Sequence, residues 1–302
     1  MKNKKELYGL VIVIFCGMIW GIGGVMGQIL FRNSEMTPAL LSSVRMFLAG
    51  TILTTYCVVR KSVSSLRILH AGKDTLYFLC FALVGIMTMQ FSYFAAVDAS
   101  NASTATVLQY TYPIFILLYN VIIYKKRPKG YEYLAVVSAL FGVFVIATHC
   151  NLHQLNLSPT SIWWGMVAAI SYVVYTVAPG KIYEKYGLTE TVGIGLLISG
   201  ILLFVLTGSF RTRIEITPLV VGITLFITMF SSLIPMVLFG KGVAIVGSMK
   251  ASLFVTVEPF FCTLISVILG LTILTGMDVI GFLLILVPIE VVAYKGGKEN
   301  AS

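Results

Sequence analysis

Between Tyr8 and Phe31 the chain runs 24 positions without one charged side chain. That constrains its fold more than any other feature. At about 1.5 Å of rise per residue, some 20 apolar positions cross the hydrocarbon core of a bilayer. Lipid offers no partner to a backbone amide, and a helix satisfies its own amides within one segment. Such runs recur: from Ala251 to Met277 the only charge is Glu258. Soluble domains are about a quarter charged, whereas this chain is 11% charged and 58% hydrophobic over 302 residues. The chain reads as an all-α polytopic membrane protein.

Apolar runs between polar punctuation give ten spans, 8–30, 37–59, 75–96, 101–124, 131–149, 161–182, 190–210, 218–240, 247–270 and 277–294. Connections as short as Val97–Ser100 and Lys241–Val246 make neighbouring helices antiparallel. Basic residues in the loops set orientation. With the N-terminus in the cytoplasm, 17 Lys and Arg fall inside and only Arg32, Arg211 and Arg213 outside, with Arg45 inside a span. The expectation is a multi-pass plasma-membrane protein with both termini cytoplasmic. The formal charge of +9 is mostly this asymmetry, so it calls for membrane lipids and not for nucleic acid. The five cysteines are scattered singly, without a CxxC pair, and read as small core residues. The basic start "MKNKK" precedes a run too long for a signal peptide, so the first helix is expected to be retained.

The chain also repeats itself. "ASTATVLQYTYPIFILLYNVI" (102–122) and "SMKASLFVTVEPFFCTLISVI" (248–268) align without a gap at an offset of 146, sharing Ala105/Ala251, Pro113/Pro259 and four further identities. Five expected spans precede the polar stretch near 151–160 and five follow it. An odd number per half turns the second half upside-down, the inverted-repeat plan of many secondary transporters. The expected organisation is a five-helix repeat over 1–150, an external linker over 151–160, and a second five-helix repeat over 161–302.

"MIWGIGG" in the first span, "LLSSVRMFLAG" in the second, "ATVLQYTYPIF", "KASLFVTVEPFF" and "ALFGVFVIA" together resemble the EamA family of the drug/metabolite transporter superfamily. The resemblance covers essentially the whole chain. It implies gradient-linked movement of small metabolites, often outward, through a cavity between the halves. The chain departs from the family pattern where a Leu-Gly-Glu turn commonly follows each proline-containing helix: here stand "YKKRP" and "LGLTI", without the glutamate, and Pro288 replaces the equivalent of Gly142.

Glu258 is the sharpest single signal, because an acidic side chain mid-span costs several kcal/mol. Pro259 beside it, like Pro113 in the first half, removes an amide and bends its helix. Glu258 is either a site for a cation or proton or a structural hydrogen-bond acceptor. Arg45, roughly 12 Å into the second span, either holds an anionic substrate group or fixes helix packing. Trp20, Tyr93, Tyr110, Tyr172 and Tyr175 lie deep within spans, as a cavity lining suited to an organic cation or as an aromatic core. Gly17/Gly21 and Gly23/Gly27 allow close helix approach, within one chain or in a homodimer.

The leading expectation is a secondary active transporter of small metabolites or amphipathic organic cations, exporting by alternating access with protons as coupling ion. A flippase or scramblase of lipid-linked substrates on the same fold is the alternative. An enzyme is not expected: the only histidines, His70, His149 and His153, sit in or beside loops, and neither HExxH nor GxSxG occurs. No metal and no cofactor are expected, and no GxxxxGK[ST] loop marks a pump.

Overall fold

The computed structural model describes residues 2–60, 67–100, 102–125, 129–151, 158–271 and 273–299. Most of the expected 151–160 linker lies outside them. Among the described residues there is no strand. The long helices are α1 (Lys2–Asn33), α2 (Pro38–Val59), α3 (Lys73–Asp98), α4 (Ala102–Gln109 continued by Tyr112–Tyr124) and α5 (Gly130–Thr148). They continue as α6 (Pro159–Val177), α7 (Leu188–Leu206), α8 (Pro218–Val246), α9 (Ser248–Ile268) and α10 (Gly276–Glu299). Eight are long and apolar enough to cross a membrane among the described residues; α5 and α10 carry shorter apolar stretches, Tyr133–Ile146 and Gly276–Pro288. A multi-pass membrane protein is the architecture these helices support.

Local chemistry explains several starts. Thr37, Ser158 and Thr217 each precede a proline, and each side-chain oxygen accepts the amide three residues on, in α2, α6 and α8. A hydroxyl cap relieves one orphan donor of the first turn, and proline at the next position has no amide to satisfy. The expected Lys241–Val246 connection is instead helical. α8 runs on to Val246, and Gly247 alone, at φ +83°, turns the chain into α9.

Four interruptions come at related places. α3 carries a π-helical stretch at Cys80–Thr88 and α8 another at Ile227–Leu233. α4 breaks at Tyr110–Thr111, and α9 tightens to a 3₁₀ turn at Val255–Val257. Shifted by the 146 of the sequence repeat, the first member of each pair falls on the second. Each π stretch also has a carbonyl taken by another helix: Ser199 Oγ donates to Ala82 O at 2.8 Å, and Trp20 Nε1 to Ser231 O at 3.0 Å.

The glycines of α1 face inward. A Cβ on Gly17 would lie 2.9 Å from Val255 O, and one on Gly21 2.6 Å from Glu258 O, so α1 rests on the broken part of α9 within the same chain. α5 and α10 cross as closely, at Gly142 and Gly281. Cys16, Cys57 and Cys262 are buried as expected, but Cys80 and Cys150 are exposed. Lys250, in the first turn of α9, pairs with Glu6 at 2.5 Å and ties α9 to the start of α1.

Candidate functional site

α1, α2, α3, α4, α6, α8 and α9 surround a cavity of about 50 Å3. Glu258 of α9, Arg45 of α2, Trp20 of α1, Tyr93 of α3 and Tyr172 of α6 all line it. Five of the side chains singled out in the sequence therefore meet at one place, from positions 20 to 258. The volume admits a few water molecules and is far below the roughly 300 Å3 of a small-molecule site. At that size the cavity takes a metabolite only as the surrounding helices move apart.

Glu258 is 6% exposed. Tyr110 does not line the cavity but holds Glu258 in place, with its hydroxyl 3.0 Å from Oε2 and 2.8 Å from Val255 O. Pro259 explains the second distance. Val255 is the carbonyl that the residue-259 amide would bond in an unbroken helix, and proline has no such amide. The bend and the carboxyl thus share one tyrosine. Pro113 in the same way withdraws the amide that would bond Gln109 O, and Gln109 lines the cavity.

Arg45 is 4% exposed and turned inward, away from the membrane surface. Its Nη2 donates to Gln90 O at 3.2 Å, and the guanidinium lies 4.5 Å from the centre of the Phe94 ring. Nε has no hydrogen-bond partner among the described residues. Tyr93 fits because Gly24 has no side chain: a Cβ there would be 2.5 Å from its hydroxyl, which instead meets Thr106 Oγ1 at 3.3 Å. Tyr172 is 4% exposed and stacks on Tyr112 at 4.0 Å.

Tyr175 is placed elsewhere. It is buried, its hydroxyl donates to Met236 O at 3.2 Å, and its ring stacks on Phe239 and Phe81. With Tyr112, stacked on Tyr172 at 4.0 Å, and Phe239, 5.2 Å from Trp20, it builds an aromatic layer beside the cavity. The expected lining is therefore divided: Trp20, Tyr93 and Tyr172 face the cavity, and Tyr110 and Tyr175 support it.

Sequence reasoning passed over Gln90, Gln109 and Ser231, which also line it. Gln90 reaches across, with Nε2 2.9 Å from Met236 Sδ and Oε1 accepting from Ser232 Oγ at 3.4 Å. The signal was present, since "TMQFS" and "VLQYT" set an amide inside an apolar run as "TVEPF" sets a carboxyl.

Known proteins share this plan. The family model described as the EamA-like transporter family matches residues 7–148 and 159–293. The chain is 29% identical over 278 residues to the uncharacterized inner membrane transporter YicL of Salmonella typhimurium, covering 92% of both chains. It is 23% identical over 301 residues to the uncharacterized transporter YrdR of Bacillus subtilis, covering 95% of this chain and 91% of that one. A solved crystal structure superposes with a TM-score of 0.77 over 98% of this chain and 99% of the other, at 16% identity, which speaks for the fold alone. With both long segments matched, and transporters among its relatives, the chain is a membrane transporter and belongs to the EamA-like transporter family.

Proposed function

We propose that the chain is a secondary active transporter that moves a small amphipathic solute bearing a cationic group out of the cell, with protons as coupling ion. The carrying observation is the convergence of Glu258 on a small cavity walled by Trp20, Tyr93 and Tyr172. A carboxyl so far from water is costly when charged, and either a proton or a bound cation relieves that cost. Ring faces beside it attract organic cations. Ten spans in two inverted five-helix repeats, both termini in the cytoplasm of a plasma-membrane protein, complete the reading. The paired interruptions at an offset of 146 and the loop charge asymmetry support it.

The test is uptake into proteoliposomes under an imposed pH gradient. Glu258→Gln is expected still to bind quaternary amines through the ring faces, but to lose acceleration by the gradient. Unchanged gradient-driven uptake in that variant removes Glu258 as the coupling group. Movement of fluorescent lipids in place of solutes turns the reading to the flippase.

A further inference from the structure

The lipid-facing surface holds a second, larger hollow. It lies where α2 crosses α7, measures about 290 Å3, and is lined by Val44, Phe47, Leu48, Gly200, Ile201 and Phe204. Its origin is the close approach of the two helices. A Cβ on Gly200 would sit 2.4 Å from Phe47 N, and one on Gly50 2.3 Å from Leu197 N. The backbones touch there, and no side chain from Gly200 fills the space beside the contact. Ser43 also borders the groove, but its hydroxyl turns back to the Ala39 and Leu40 carbonyls at 2.8 and 3.0 Å, leaving an apolar wall.

One end of the groove carries charge. The Phe204 ring meets Phe210 at 6.2 Å, and the Arg211 guanidinium lies 5.4 Å from the Phe210 ring centre. Arg211 and Arg213 are both exposed, with Glu215 as the acidic residue of the same segment. They are two of only three loop arginines that break the charge asymmetry of the chain.

We propose that this groove holds an acyl chain of an anionic glycerophospholipid, whose phosphate rests on Arg211 and Arg213. A tail gains no hydrophobic free energy by leaving lipid for an apolar wall, so packing retains it and the arginines select its head group. A second copy of the chain fits the site poorly. Two-fold contact through this face brings the arginine pairs of both copies together, and like charges repel.

Native mass spectrometry tests this on the full chain in neutral detergent, with equimolar phosphatidylglycerol and phosphatidylcholine of identical tails. Binding does not depend on transport, so the result stands apart from the function proposed above. The wild type is expected to retain phosphatidylglycerol about thirtyfold over phosphatidylcholine, the scale of two arginines at an anionic surface. Arg211→Gln with Arg213→Gln is expected to bring that ratio to about one. Ile201→Trp, at a half-exposed position that tolerates bulk, is expected to lower both adducts severalfold while circular dichroism stays unchanged. Equal retention by the wild type, a preference that survives loss of both arginines, or wild-type adducts in Ile201→Trp each overturn the proposal. So does a dimer that appears in place of lipid adducts.

Discussion

Tyr110 and Arg45 illustrate two ways in which a buried polar group is held. The Tyr110 hydroxyl lies within hydrogen-bond reach of both Glu258 Oε2 and Val255 O, and its single proton is shared between them, so Tyr110→Phe removes the polar partner of a carboxyl and a carbonyl together. We expect a loss of about 1 kcal/mol, the usual scale for hydrogen bonds between membrane helices, read from denaturation in detergent. Arg45 is different. One nitrogen is bonded to Gln90 O, Nε is not, and no carboxylate lies within ion-pair distance among the described residues. A buried charge without a counter-ion does not stabilise its surroundings. Arg45→Gln should therefore leave the melting temperature unchanged or higher while transport falls at least tenfold. A fall in melting temperature with transport intact would assign Arg45 to packing.

At the scale of elements, the contact of α1 with α9 is the most exacting. Gly21→Ala places a Cβ against the Glu258 carbonyl and 2.9 Å from Cys262 N, and backbone cannot step aside as a side chain does. Overpacking of this kind costs about 1–3 kcal/mol. Gly222→Ala in α8 is the control, because nothing lies within 4 Å of its Cβ and alanine favours the helix. Thermal melting should fall for the first variant and hold or rise for the second. At the membrane surface, the Asp74 carboxylate bonds Lys185 and holds its ammonium above the usual lysine value of 10.5. A raised folded value means that the pair stabilises below that pH and fades as pH climbs past the shifted value. The pair is open to solvent, so Lys185→Met should differ only slightly from wild type at neutral pH and not at all in strong alkali.

For the whole molecule, topology is the decisive measurement. In a background without the five natural cysteines, of which Cys80 and Cys150 are exposed, single cysteines at Lys4 and Glu299 should react from the same side of the membrane. Cysteines at Ser34 and Gly208 should react from the opposite side. Labelling of the termini from different sides would rule out an even number of crossings and with it the inverted repeat. The small cavity adds a second global expectation: a substrate much larger than about 50 Å3 binds only with movement of the surrounding helices, so substrate should change hydrogen exchange on several helices at once.

The sequence alone determined that this chain lives in lipid, near which residues its helices begin and end, and that a carboxyl beside a proline lies deep inside. Each follows from a local cost: a charge or a missing amide within an apolar run is conspicuous wherever the chain folds. The assembly of Trp20, Arg45, Tyr93, Tyr172 and Glu258 around one space was decided only by tertiary structure, as was the retreat of Tyr175 into the aromatic layer. The π turns at Cys80–Thr88 and Ile227–Leu233 left no mark in composition either. They depend on which neighbour takes a carbonyl and on which face a helix is turned to, and these are properties of packing between segments distant in sequence.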